Sequence, residues 1–315
     1  MNFSVCLWQL NVKKIPSTSD KSVAMPSAQS PIVVLDSGLG GLTVARAIRQ
    51  LMPAEDIVYF GDTARLPYGS KSAATVTSFV RQIITYLYPL DPKHVVIACN
   101  TATALAMATV RAEFADLNIS GVIEPGARAA ALAAGQRPRP VIGIIGTEAT
   151  IRSKAYEQAI IRRRVLAKVF AMPTPLLARI IEEGRTADDP LVQIALKQYL
   201  QPLMVKAINV LVLGCTHYPI YRETISAMVG AGVAVIDSAD QCAQDVQRRL
   251  GSAKLLRDGG GTGGLRCFVT DNSPRFASLA ARFLGLEIEP PTWVGTDELH
   301  SLASASEPME LRAAV

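Results

Sequence analysis

Short apolar runs recur along the chain, each followed by a polar or glycine-rich turn and then by apolar residues at helical spacing. Ile32-Val33-Val34-Leu35 reads as a buried strand, and Leu42 opens a helix that ends before Pro53. Ile57-Val58-Tyr59-Phe60 is the next strand, and Val76, Phe79, Val80, Ile83, Ile84 and Leu87 follow at i, i+3, i+4 spacing. A strand ending before Cys99, a helix, and the run Gly121-Val122-Ile123 complete a first series. A second series starts at Val141-Ile142-Gly143-Ile144-Ile145 and continues through a strand from Val165 to Phe170. It goes on to a helix holding Leu191, Ile194, Ala195 and Tyr199, and to a strand ending before Cys215. Val233 to Ile236 and Cys267 to Thr270 supply later strands. Alternating strands and helices predict an α/β fold: two similar doubly wound parallel-sheet domains, with the active site in the cleft between them.

The two series repeat each other. Asp36 follows a strand in the first and Gly146 ends one in the second, 110 residues later, while Cys99 and Cys215 are 116 apart. The division expected is a first domain of 31–121 plus 236–297, with a second of 122–235 inserted in it. A Ser/Thr/Lys/Pro-rich flexible extension over 1–30 precedes them, and a tail without packing pattern over 298–315 follows. The run Gly259–Gly264 reads as a connection rather than a phosphate cradle, because no strand immediately precedes it and no Gly-Lys-Ser/Thr follows.

Composition narrows the class. Apolar residues make up 49% and charged residues 19% of 315, which suits a compact enzyme with buried strands. The net charge of +5 hints at anionic partners. Its densest clusters, Arg162-Arg163-Arg164 and Arg248-Arg249, read as solvated helix faces without a nucleic-acid-binding signature, so no nucleic acid is expected as partner. No apolar run approaches membrane-spanning length, and Met1 to Leu10 lacks the basic start and cleavage site of a secretory signal. Five widely spaced cysteines, Cys6, Cys99, Cys215, Cys242 and Cys267, are not a disulfide framework. A reducing cytoplasm is the expected location, with Cys242 and Cys267 as inert buried thiols.

Candidate chemistry gathers where strands end. Cys99 follows His94–Ala98 and precedes Asn100-Thr101, and Cys215 follows Val210–Gly214 and precedes Thr216-His217. Each thiol is thus presented at the carboxyl end of a parallel strand, where α/β folds bind ligands. A helix N-terminus there is expected to lower the cysteine pKa and to offer N–H groups to carboxylates. Cys215 and His217 give two metal ligands, fewer than the three or four a zinc site needs, so no metal is expected.

These motifs together resemble the cofactor-independent Asp/Glu racemase superfamily and, within it, the glutamate racemases. The matching segments are Asp36-Ser37-Gly38, Gly61–Arg65, Pro67-Tyr68-Gly69, Ala98–Ala102, Val122–Gly126, Gly146-Thr147 with Thr150, and Leu213–Pro219. The resemblance implies a pair of cysteines working from opposite faces of an α-carbon, Cys99 taking the proton of the D-enantiomer and Cys215 that of the L-enantiomer. It implies Asp36 as helper of Cys99 and His217 of Cys215, with Glu182 a further carboxylate and Glu183 its alternative register. Around Glu182 the chain departs from the family: Thr174 stands where many members have cysteine, and Arg179 where many have proline. Substrate binding is implied for Asp36, Ser37, Tyr68, Gly69, Asn100, Thr101, Thr147, Thr216 and His217. His217, where aspartate-specific relatives commonly carry glutamate, favours glutamate as the small-molecule substrate. No cofactor, no membrane, a homodimer and a role in supplying D-glutamate for peptidoglycan complete what the resemblance implies. Two other readings stay open: a racemase or isomerase acting on another acidic substrate, and a two-domain binding protein that performs no chemistry.

Overall fold

The computed structural model describes residues 26–273 and 276–306. Among the described residues, ten strands form two sheets in which every strand pair is parallel. The six-stranded sheet holds β1 (Ile32–Asp36), β2 (Ile57–Gly61), β3 (His94–Ile97), β4 (Ile119–Gly121), β9 (Leu265–Val269) and β10 (Thr292–Trp293) in the order β10-β9-β2-β1-β3-β4. The four-stranded sheet holds β5 (Val141–Gly146), β6 (Lys168–Pro173), β7 (Val210–Gly214) and β8 (Ala234–Asp237) in the order β6-β5-β7-β8. The second order is the 2-1-3-4 arrangement at the heart of the first, so the repeat seen in sequence reappears in topology.

Twelve helices cover these sheets among the described residues. They are α1 (Leu42–Leu51), α2 (Ala73–Leu87), α3 (Asn100–Glu113), α4 (Ile123–Ala133), α5 (Glu148–Arg152) and α6 (Ala155–Ile161). The chain continues with α7 (Leu177–Glu182), α8 (Pro190–Met204), α9 (Arg222–Val229), α10 (Ala239–Ser252), α11 (Phe276–Leu284) and α12 (Thr296–Ser306). No helix among the described residues is long and apolar enough to cross a membrane.

Helices on both faces explain why β1, β2 and β7 are buried at every position, which is why they read as unbroken apolar runs. One apolar cluster runs from Val34 and Tyr59 in the first sheet through Val122 to Leu213 and Tyr218 in the second, so the two sheets share packing. In each sheet the order reverses beside the central strand, at β1/β3 and β5/β7, which opens a crevice at the carboxyl ends. Leu35 is in register with Ile97 and Gly146 with Gly214, so the segments carrying Asp36, Cys99, Thr147 and Cys215 all leave the sheets at those crevices.

Three expectations need correction. The tail foreseen from 298 is helical to Ser306: α12 packs on α2, with Leu299 and Ala303, one turn apart, buried beneath it. The strand foreseen at Val165 to Phe170 lies three residues further on, because pairing with β5 starts at Lys168, and Val165 and Leu166 are exposed. Strand β4 ends at Gly121, and Ile123 already belongs to α4. The expectation for 1–25, including Cys6, lies outside the described residues.

Buried in β3, His94 pairs through Nε2 with Ser120 Oγ at 2.8 Å. Burial, with Arg249 and Arg111 adding to it and Asp245 opposing, pushes its pKa from 6.5 down to about 4. The folded protein therefore keeps His94 neutral while the unfolded chain protonates it below 6.5. Stability from this residue is complete above pH 6.5 and is lost as pH falls towards 4, by roughly 3 kcal/mol. Urea melts between pH 7 and 4 are expected to show that decline in the wild type, with a slope shallower by this amount in His94→Gln. Parallel curves would refute it.

Candidate active site

Asp36 ends β1 and is buried; its Oδ2 accepts the Gly38 amide at 2.9 Å, while the Tyr59 hydroxyl donates to the Gly38 carbonyl at 2.8 Å. The turn between β1 and α1 is thereby fixed from two sides. Burial raises the Asp36 pKa; the His217 charge and the Gly38 and Gly41 amides oppose this, and Glu182 adds to it.

Beside Asp36, Cys99 caps α3, its Sγ accepting the Ala102 amide at 3.5 Å. The expected lowering of its pKa does not occur. Burial, reinforced by the Asp36 charge, pushes the thiol up to about 12, and the Ser37 hydroxyl and Ala102 amide do not offset it. A helix terminus favours a thiolate, but removing the sulfur from water costs more here.

The next residues of α3 reach the other sheet. Asn100 accepts the Tyr156 hydroxyl at 2.7 Å through Oδ1, while its Nδ2 is buried without a partner among the described residues. An unpaired buried donor costs about 1–3 kcal/mol, so this amide is poised for an acceptor. Thr101 Oγ1 lies 2.8 Å from Thr147 Oγ1 and 3.2 Å from Thr150 Oγ1. Thr147 in turn caps α5 through the Thr150 amide. Gly69 packs directly on Thr147, so closely that an added Cβ would sit 2.8 Å from the threonine Cβ. The Tyr68 ring is buried and its hydroxyl bonds Asp62.

Beyond β7 the second thiol has its own surroundings. Cys215 Sγ lies 3.6 Å from His217 Nδ1, and His217 Nε2 is 2.9 Å from Glu182 Oε1. Phe283 stands edge-on to the imidazole at 5.4 Å between ring centres. Burial alone would lower the His217 pKa, but the Cys215 and Glu182 charges hold it well above the usual range. Thr216 Oγ1 points back at Asp36 Oδ1 across 3.5 Å, and its carbonyl accepts from Thr43 Oγ1 at 3.3 Å. The Thr216 contact ties the Cys215 segment to Asp36, the residue whose charge also acts on Cys99. Arg179 falls in the first turn of α7, where a proline is equally tolerated, so this departure leaves Glu182 in place.

The structure thus gathers Asp36, Ser37, Cys99, Cys215, Thr216, His217 and Glu182 around two thiols, with Asn100, Thr101, Thr147 and Gly69 alongside. The Tyr68 hydroxyl is taken up by Asp62. Sequence reasoning missed Tyr156, which holds Asn100, and Gly40, on whose bare α-carbon Thr216 and His217 rest. It also missed the pairing of Thr174 with Tyr218. Only the departure at 174 and the glycine-rich turn were visible as signals.

Comparison with known proteins extends this picture. The family model described as Asp/Glu/Hydantoin racemase matches residues 39–246. The glutamate racemase of Geobacter metallireducens is 42% identical over 255 residues, covering 81% of this chain and 92% of the relative. That of Chlorobaculum parvum is 39% identical over 269 residues, covering 85% and 97%. The solved glutamate racemase of Francisella tularensis in complex with D-glutamate superposes with a TM-score of 0.79 at 36% identity, covering 87% of this chain and 99% of that one. A pair of thiols at matching strand ends, in a chain that follows these relatives over more than four-fifths of its length, makes the protein a member of the Asp/Glu racemase family, on its glutamate racemase branch.

Proposed function

We propose that the protein interconverts L- and D-glutamate, and that Cys99 and Cys215 move the α-proton. The observation that carries this is the pair of buried thiols at equivalent strand ends, in a chain whose solved relative holds D-glutamate. From D-glutamate, the Cys99 thiolate takes the α-proton, leaving the electron pair on the α-carbon in conjugation with the carboxylate. The Cys215 S–H then delivers its proton to the opposite face, which yields L-glutamate and a Cys215 thiolate; the reverse reaction exchanges the roles.

Burial and the Asp36 charge favour the thiol at Cys99. The substrate's own ammonium group adds a cation that favours the thiolate there, as the raised His217 does beside Cys215. Neutral donors, with Asn100 Nδ2 foremost, are placed to hold the carboxylate as charge builds on it. On the Cys215 side, His217 oriented by Glu182 sits within reach of the sulfur. The same reading carries a cofactor-free reaction, a homodimer in the cytoplasm, and supply of D-glutamate for peptidoglycan.

The test is α-proton exchange in D₂O followed by NMR, with D- and L-glutamate separately and no cofactor added. Deuterium at Cα and inversion of either enantiomer are the expected result. No exchange with either would sink glutamate as substrate, and exchange with another acidic amino acid instead would rename it.

A further inference from the structure

Asp62 directly follows β2 and is fully buried, yet the reaction above makes no use of it. Its amide donates to the Asp36 carbonyl at 3.0 Å, so the chain leaves β2 beside the turn that carries Asp36 and Ser37. Three side chains converge on its carboxylate. Arg65 Nε donates to both oxygens, at 2.9 and 2.8 Å. The Thr270 hydroxyl donates to Oδ1 at 2.9 Å, and the Tyr68 hydroxyl donates to Oδ2. The direction of these bonds is fixed: a guanidinium only donates, an ionised carboxylate only accepts, and Thr270 Oγ1 already accepts the Ala64 amide at 2.9 Å. Arg65 is itself held from α2, where Nη1 donates to Gln82 Oε1 at 2.5 Å and the guanidinium lies 4.1 Å from the centre of the Phe79 ring.

What this cluster holds is the turn of residues 66–69. At one end Leu66 packs on Gly38, where an added Cβ would sit 3.2 Å from Leu66 Cδ2. At the other end Gly69 packs on Thr147, whose hydroxyl also meets Thr101 at 2.8 Å. One short turn therefore touches both the Asp36 turn of the first sheet and the Thr147 segment of the second. Tyr68 stands in its middle. Only two torsions separate the tyrosine backbone from its ring, so fixing the hydroxyl fixes the turn that carries it.

We propose that Asp62 is a positioning residue for substrate binding: through the Tyr68 hydroxyl it holds the 66–69 turn against Gly38 and Thr147, so that this side of the cleft is built before glutamate arrives. The sulfurs make their own hydrogen bonds outside the cluster, Cys99 with Ala102 and Cys215 with His217. The turn therefore bears on binding more than on proton transfer. Asp62→Asn keeps the shape but offers one accepting oxygen to three donors, and it leaves the Arg65 charge unpaired. Tyr68→Phe keeps the ring and drops only the bond.

This inference rests on the racemase reading, and steady-state kinetics with each enantiomer tests it. Asp62→Asn and Tyr68→Phe are each expected to raise KM about tenfold in both directions, with kcat within about twofold of wild type. Because Asp62 acts through Tyr68, the double variant should also raise KM about tenfold rather than a hundredfold. Thr270→Val removes a bond of Asp62 that does not lead to the turn, and should leave KM within about twofold. A merely structural role would lower apparent kcat through loss of folded enzyme and leave KM alone. Unmoved KM in Tyr68→Phe, multiplied effects in the double variant, or an equal rise in Thr270→Val would overturn the inference. If Asp62→Asn does not fold, the other two single variants decide: a KM raised in Tyr68→Phe only supports the idea, and any other pattern overturns it.

Amide hydrogen exchange of the peptide spanning 66–71, measured without substrate, separates this inference from the racemase reading. Exchange there should be faster in Tyr68→Phe than in wild type, and unchanged exchange overturns the inference whatever the kinetics. Normal racemisation with unmoved KM removes this inference only. A wild type inert to glutamate whose turn still loosens in Tyr68→Phe removes the racemase reading, and the anchoring of the turn by Asp62 survives it.

Discussion

Serine in place of Cys99 or of Cys215 is expected to cut racemisation about 10²- to 10⁴-fold, while the fold is retained. A hydroxyl fits where a thiol sat, but it is far less acidic, so it neither ionises to a base nor delivers a proton as readily. The two variants should differ in what survives. With Cys215→Ser, Cys99 still faces the α-hydrogen of D-glutamate, and that enantiomer should exchange with solvent, without inversion, faster than L-glutamate does. Cys99→Ser should show the mirror image. Proton NMR in D₂O on each variant with each enantiomer gives four exchange rates. Equal residual exchange of both enantiomers in a variant would refute the assignment of faces, and undiminished racemisation would refute the two-thiol mechanism altogether.

How much of this was legible beforehand follows from where the information lies. Strands buried on both faces, such as β1 and β7, announce themselves as continuous apolar runs, and the residues just past them are candidate site residues by topology alone. Cys99, Cys215 and Asp36 belong to that class. Edge elements are harder to read. In β6, exposed and half-buried positions mix, so nothing local marks its start against the exposed Val165 and Leu166. In α12, Leu299 and Ala303 are too few to stand out until α2 is there to receive them.

The pKa of Cys99 was misread for a related reason. The helix terminus that favours the thiolate is local and visible in sequence, whereas the burial that outweighs it is a property of the assembled fold. Contacts between distant segments were invisible: Thr174 meets Tyr218 across 44 residues, and Tyr156 holds Asn100 across 56.

Gly40 is the sharpest case of such a contact, and its replacement by alanine is expected to lower kcat/KM by about 10²-fold or more. The residue has no need of glycine for its backbone conformation; what it needs is space. A Cβ there would sit 2.3 Å from Thr216 Oγ1, 2.5 Å from His217 Nδ1 and 2.7 Å from His217 Cε1. None of these atoms is a free end able to swing aside. His217 is held by Glu182 at 2.9 Å, lies 3.6 Å from Cys215 and packs edge-on to Phe283, while Thr216 reaches towards Asp36. The methyl group must therefore push the histidine away from the sulfur it serves or force the turn after β1 off Asp36. A displacement near 1 Å is enough to cost about 10²-fold. The accompanying strain should lower stability by about 1–3 kcal/mol, leaving a folded protein with a damaged site. Gly260, with nothing within 4 Å of where its Cβ would be, is the control: Gly260→Ala should leave kcat/KM unchanged. Steady-state kinetics beside thermal melts separate the outcomes. Gly40→Ala with wild-type kcat/KM would show that His217 can retreat without harm, and would remove it from the proton-transfer machinery on the Cys215 side.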